Sequence, residues 1–452
     1  MVKMWGGRFK KKPHSLMEKF TSSLDHDKRL AEFDCLGSIA HAEMLAKCGI
    51  IPRKDSSMIV SGLKSILNDV RQDKLKYNKS AEDIHTAIQE ALYKKIGRPA
   101  AMLHTARSRN DQVSLDTRMY CKKEIDVTVA AVKDLKKSML AFAKKNINVI
   151  VPGFTHLQNA QPVLLAHQML AYCQMLDRDM ERLSDCKKRV DVMPLGSCAI
   201  SGTALAIDRN LVAKKLGFSK VSSNSMDAVS DRDFIIEAIF ALSLIAMHLS
   251  RISEDFIILN SPAFGLIEIE DEMCTGSSMM PQKKNPDVLE LVRGKSGELY
   301  GALMSVLTVM KGLPLTYNRD MQEDKGPLFR AIDTVKSSLG IMELFFKDLR
   351  VDKKKIEVLL RDETLYATDM MEYLVKKGVA LKEAHDSVGK VVRYCASNKL
   401  NISEVPLNKL RSFNSKFDKR VYDLLCAERS VNLKDSLGGT SLKQVRRQIL
   451  NA

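Results

Sequence analysis

FRAIDTVKSSLGIMELFFKDL, Phe329–Leu349, places apolar side chains at steps of three and four residues. Phe329, Ile332, Val335, Leu339, Met342, Phe346 and Leu349 form one stripe of a long helix, because that spacing follows the 3.6-residue turn. The same spacing recurs in Ile125, Val129, Val132, Met139 and Phe142, and again in Met169, Cys173, Leu176, Met180 and Leu183. Ser230 with Asp233 reads as a capping box that opens a helix over Phe234–Leu259. Pro286 suits the first position of another helix, which Pro314 should end. Strand signals are weak. At least five long helices make the centre a bundle and the fold class all-α. Three domains are expected: residues 1–105, mostly helical with shorter elements; 106–350, the long-helix bundle; and 351–452, a small helical domain. No Gly/Ser linker marks these boundaries.

Composition narrows the function classes. There are 71 Lys and Arg against 55 Asp and Glu, a formal net charge of +16. The lysines alternate with acids along the whole chain, without zinc-finger spacing or an aromatic RNA-binding pattern. Nucleic acid is therefore not expected as a partner, whereas an anionic small substrate would feel the same field. Nine cysteines without a C-x-x-C pair indicate reduced thiols and a cytoplasmic protein. The N-terminus has no apolar signal core. The most apolar run, Phe234–Met247, contains Glu237 and is followed by His248 and Arg251, so it reads as a buried helix and no membrane is expected. No H-E-x-x-H, Walker A or Rossmann fingerprint is present, and neither a metal nor an organic cofactor is expected.

The chemistry concentrates in GSSMMPQKKNP, Gly276–Pro286. Small residues let backbone N–H groups approach a ligand, and successive N–H groups in such turns form an anion nest. Lys283 adds a point charge and Asn285 adds amide donors. Together they suit a carboxylate whose negative charge grows during reaction. The alternative is a solvated Ser/Lys loop.

This loop resembles the signature loop of the fumarase/aspartase superfamily, and its QKKNP ending resembles the argininosuccinate lyases. MWGGRF (Met4–Phe9), EDIHT (Glu82–Thr86), HTARSRNDQV (His104–Val113), PGFTHLQNAQP (Pro152–Pro162), NSMDAVSDRD (Asn224–Asp233), TYNRDMQEDK (Thr316–Lys325) and LGGTS (Leu437–Ser441) look like segments of that family, in family order. The resemblance implies a three-domain fold in which four chains pack their central bundles into a tetrameric twenty-helix core. It also implies that each active site is shared between chains of this homotetramer, and that argininosuccinate is eliminated reversibly to arginine and fumarate. A rival within the superfamily is another fumarate-releasing enzyme, such as an adenylosuccinate lyase. A rival of another class is a catalytically silent structural homologue.

The resemblance also assigns roles. Ser277 matches the family's catalytic serine, a base that needs activation because a hydroxyl is a poor one. Ser278, one residue on, is the competing choice. Lys283 and Asn285 would hold the carboxylate. Thr155 and His156 would act on the leaving group, with His156 tuned by Glu290. His85 carries over as a second active-site histidine with Asp83 nearby. Ser108, Arg109 and Asn110 read as an anion clamp, because Arg can grip a carboxylate with two N–H groups. The same residues also read as a helix N-cap, Ser108 with Asp111. Ala106 stands where the family commonly has Gly; if positive φ is needed there, Ala costs about 1 kcal/mol. Tyr317, Gln322, Lys325 and Ser23 match positions that bind the arginine part, and Arg319 stands where Lys is common. Asp83 or Asp324 would oppose the guanidinium.

Overall fold

The computed structural model describes residues 10–11, 13–78 and 80–452, so the MWGGRF segment lies outside the described residues. Long helices dominate: α1 (Ala31–Lys47), α2 (Ile84–Ile96), α3 (Arg109–Lys145), α4 (Leu165–Val190), α5 (Asp233–Asn260), α6 (Asp287–Met310) and α7 (Lys325–Asp348). All seven stripe residues of Phe329–Leu349 are buried, which confirms the periodicity. α5 is long and apolar enough to cross a membrane by length and composition. Its Phe234, Ile235, Ile239, Leu242, Ile245, Leu249 and Phe256 nevertheless sit inside the fold, as expected of a core helix.

By contacts the chain forms two compact units, each assembled from three separate segments. One is Met1–Val129, Glu181–Ser243 and Gly297–Thr334; the other is Ala130–Met180, Leu244–Ser296 and Val335–Ala452. In the second unit Phe256 meets Phe345 and Phe346 edge-on at 5.4 and 5.1 Å between ring centroids. A separate cluster there, including Met370, Leu374, Val388, Val391 and Phe417, supports the C-terminal helices.

Two helix starts differ in detail from the sequence reading. Ser230 ends a short helix, Ser225–Ser230, and does not cap α5. The cap is Asp231, whose Oδ1 accepts the Asp233 N–H at 2.8 Å. A carboxylate two residues upstream reaches the first orphan N–H, and Ser230 is already committed to the preceding helix. Pro286 lies one residue before α6, and its carbonyl accepts the Leu289 and Glu290 N–H groups. α6 stops at Met310, before Pro314, and Gly312 adopts φ +73° in the exit turn.

The PGFTHLQNAQP segment is a β-hairpin, an element the sequence signals did not reveal. β1 (Ile150–Thr155) pairs antiparallel with β2 (Gln158–Leu164), and the register shifts between Pro152 and Phe154. Gly153 permits the shift, because a Cβ there would lie 2.8 Å from the Gln161 carbonyl. The LGGTS motif supports this hairpin. A Cβ on Gly439 would lie 2.3 Å from the Lys434 carbonyl. That tight turn presents Thr440, whose Oγ1 accepts the Leu164 N–H at 2.9 Å. Ser441 then caps the last helix through Gln444.

Candidate active site

In the first unit, four segments bring most of the predicted binding residues together. Glu82 links them: its Oε2 lies 3.3 Å from Arg109 Nη1 and its Oε1 2.9 Å from Arg319 Nη1. Arg319 Nη2 also donates to the Thr21 carbonyl at 2.6 Å, and Gln322 Nε2 to the same oxygen at 3.4 Å. Arg319 thus bridges two partners, which one lysine ammonium on a flexible stem would do less rigidly. Ser23 is tied to Glu82 through its backbone N–H, and its hydroxyl donates to Asp27. Thr316 holds φ +75°, a strained value for a β-branched residue, directly before Tyr317.

Asp83 caps α2, accepting the Thr86 N–H at 2.7 Å, and lies 3.3 Å from Arg109 Nη1. Burial would raise its carboxyl, but His85 and Arg109 outweigh that and lower it. Arg109 Nη2 donates to Thr86 Oγ1 at 2.7 Å, so in this structure the guanidinium is engaged by its own neighbours. The N-cap reading of HTARSRND fits the local hydrogen bonds. Ser108 Oγ accepts the Asn110 N–H at 3.3 Å, and Asp111 Oδ1 accepts the Ser108 N–H at 2.9 Å. Asp111 Oδ2 accepts the N–H groups of Gly196 and Cys198, and Asn110 Nδ2 donates to the Ala199 carbonyl at 3.1 Å. Ala106 does adopt positive φ, +55°.

Asp324 is not available to a ligand guanidinium. It is 1% exposed and bound by Arg232 Nε at 2.5 Å and Lys325 Nζ at 3.0 Å. Burial opposes the charge on Lys325, yet Asp324 and Asp27 hold its pKa above the usual lysine value. Burial pushes the Tyr317 hydroxyl up. Sequence reasoning missed Asp27, Asp34, Arg107 and Asp116, all buried here. A usable signal existed for Asp34: it is an acid within the apolar face of AEFDCLGSIA, Ala31–Ala40.

In the second unit, Thr155 and His156 lie at the tip of the β1–β2 hairpin and are exposed. His156 and Leu157 form its two-residue turn with φ +56° and +57°. Such a turn favours Asn-Gly, so His-Leu costs free energy here. A cleft of about 400 Å³ beside the turn is lined by His156, His167, Gln168 and Asp255 among apolar residues. Gly276–Asn285 is closed at its base by β3 (Thr275–Gly276) pairing with β4 (Lys284–Asn285). Ser277 Oγ accepts the Met280 N–H at 3.0 Å and the Met279 N–H at 3.3 Å. Ser278 has no such donors among the described residues. Lys284 pairs with Asp271 at 2.7 Å, whereas Lys283 is exposed. Asn285 Nδ2 donates to the Gly276 carbonyl at 3.4 Å. No hydrogen bond joins His156 to Glu290 among the described residues.

A family model described as lyase matches residues 7–301, and one described as argininosuccinate lyase C-terminal matches 364–432. The argininosuccinate lyase of Trichlorobacter lovleyi is 49% identical over 447 residues, 99% of this chain and 98% of its own. That of Syntrophus aciditrophicus is also 49% identical, over 99% of this chain and 95% of its own. A solved EDDS lyase variant with bound fumarate shares the fold at a TM-score of 0.83 and 22% identity, covering 94% of this chain and 86% of its own. The chain therefore belongs to the argininosuccinate lyase family of carbon–nitrogen lyases.

Proposed function

We propose that this chain cleaves argininosuccinate reversibly to L-arginine and fumarate, by proton removal beside one carboxylate and departure of the guanidino nitrogen. Ser277 takes the proton. Lys283 and Asn285 hold the carboxylate into which the carbanion charge spreads. Thr155 and His156 return a proton to the leaving nitrogen, with Glu290 tuning the imidazole. Ser108, Arg109 and Asn110 anchor the remaining carboxylate. Ser23, Asp83, His85, Tyr317, Gln322 and Lys325 receive the arginine part. The observation that carries this reading is the pair of backbone N–H donors on Ser277 Oγ, because donors aimed at a hydroxyl oxygen favour its alkoxide.

The working form in this reading is a cytoplasmic homotetramer whose sites draw on several chains, with the three-part division at residues 105 and 350. α6 supports it: Leu291, Tyr300, Met304 and Leu307 are exposed along one helix, interleaved with Gly294, Gly297 and Gly301, which leave room for a close neighbour. The nine cysteines are all free, in keeping with a reducing compartment.

Incubating the purified protein with argininosuccinate and following fumarate absorbance tests the reaction. No fumarate, or faster release from adenylosuccinate, would refute it. Co-refolding His156→Asn with Ser277→Ala tests the shared site. Mixed tetramers should recover up to about a quarter of the sites by independent assortment. Proven mixed tetramers without activity would mean that both residues of a site come from one chain.

A further inference from the structure

In the buried polar cluster around His85, the reaction as proposed gives no task to Asp34, Asp116, Gln112 or Arg107. His85, at the start of α2, presents Nδ1 to the Asp34 carboxylate of α1. The contact is closed off: the His85 side chain is 6% exposed and that of Asp34 1%. Asp34 is itself held from two sides. Gln112 Nε2 of α3 donates to its Oδ2 at 2.7 Å, and Ser38 Oγ lies 3.5 Å from its Oδ1. Arg107 Nη1 in turn donates to Ser38 Oγ at 2.8 Å. Asp116 Oδ2 lies 3.6 Å from His85 Nδ1, and neither Asp116 oxygen has a hydrogen-bond partner among the described residues. His85 Nε2 makes no hydrogen bond among the described residues.

Building on the reading proposed above, we infer that Asp34 is a positioning residue that keeps His85 doubly protonated and so makes its Nε2–H a fixed donor to an anionic group of the substrate.

An imidazole held this way donates and cannot serve as a base. The carboxylates facing it favour that state. Asp34 and Asp116 approach from α1 and α3, Asp83 from its own helix cap, and Asp27 from the segment carrying Ser23. Arg107 is the opposing cation, and burial pushes the neighbouring His104 down to about 4, which leaves it neutral. Burial alone would lower His85, but the hydrogen bond and charge of Asp34, with Asp83 and Asp116, raise it to about 9. Of the carboxylate pair, burial and the neighbouring Asp34 push Asp116 well up, while His85 and Arg107 outweigh burial at Asp34 and hold it down. Asp34 therefore carries the charge. His85, Asp34 and Asp116 offer three ligand atoms within 4.8 Å of one another. With Arg107 and a protonated His85 already opposing the carboxylates, the cluster's charge is met without a metal ion.

Deuterium exchange at the imidazole C2–H of the folded protein, followed against pH and read by mass spectrometry of peptides after digestion, reports His85 separately. The His85 midpoint is expected near pH 9 in the wild type and more than one unit lower in Asp34→Asn. Asp116→Asn, which mimics the protonated acid, should leave it within half a unit. A wild-type midpoint at or below about 6.5, the ordinary histidine value, overturns the inference even if Asp34→Asn does not fold. A drop in Asp116→Asn as large as in Asp34→Asn overturns the choice of Asp34. In the fumarate assay, Asp34→Asn should raise KM several-fold between pH 6 and 8, where the wild type stays flat. An equal rise at both pH values would mean that Asp34 only supports the fold. Absence of any fumarate release would refute the proposed function, and the C2–H midpoint would still judge the protonation of His85.

Discussion

Ala106→Gly should stabilise the loop that leads into α3. Ala106 sits at φ +55°. Its neighbours hold it there: His41 Nε2 contacts the Thr105 carbonyl at 2.8 Å, and Arg107 Nη1 donates to Ser38 at 2.8 Å. Left-handed backbone costs a residue with a Cβ roughly 1–2 kcal/mol. Glycine returns roughly 0.4–1 kcal/mol of that through its freer unfolded chain. The net gain is therefore about 0.8 kcal/mol at the middle of both ranges. Unfolding entropy near 2.1 cal/mol/K per residue makes about 1 kcal/mol worth only about 1 °C in a chain this long, so a melting curve is a poor reporter. Local amide exchange is a better one. Deuterium uptake over residues 105–112 should slow about two- to five-fold in Ala106→Gly and accelerate in Ala106→Val, whose branched Cβ suits this region even less. Fumarate release by Ala106→Gly should stay within twofold of the wild type. Faster uptake in the glycine variant, or no change in the valine one, would refute left-handed strain at this position.

Ser277→Ala should lower kcat by roughly a hundred- to ten-thousand-fold, the usual contribution of a positioned base, with KM nearly unchanged. If Ser278→Ala loses activity and Ser277→Ala keeps it, the wrong serine has been named. Arg109→Lys should raise KM about tenfold or more, because a lysine cannot reproduce the forked contacts to Glu82, Asp83 and Thr86; an unchanged KM counts against a role in binding. His41 is fully buried, and burial with Arg107 pushes it down to about 3. The unfolded chain takes up that proton near pH 6.5, so stability is lost as pH falls below about 6.5, by about 1 kcal/mol over the first unit and towards about 1.4 kcal/mol per unit below it. His41→Gln should flatten the dependence of the denaturant midpoint on pH between 6.5 and 4.5, and parallel curves for the two proteins would exclude this source. Activity should survive EDTA, and inactivation reversed by an added divalent ion would overturn the cofactor-free reading.

What the sequence determined by itself was local or chemically distinctive. The Phe329–Leu349 stripe was legible because helical periodicity needs only near neighbours along the chain, and its residues are buried as read. The Gly276–Pro286 loop stood out because Gly, Ser, Lys and Asn crowd into eleven residues. The positive φ suspected at Ala106 followed from one residue standing where a glycine is common. Tertiary structure decided the rest. The hairpin carrying His156 looked like a Pro/Gly loop, because its strands depend on register, on Gly153 passing close to Gln161, and on Thr440 from the far end of the chain. The cap of α5 went to Asp231 once the preceding helix had claimed Ser230. Asp324 and Asp83 looked equivalent as carboxylates, and only packing revealed that Arg232 and Lys325 already hold Asp324. Asp34 became a partner of His85 only when α1, α2 and α3 met, because burial and charge pairing are set by residues tens of positions apart, which no local pattern records.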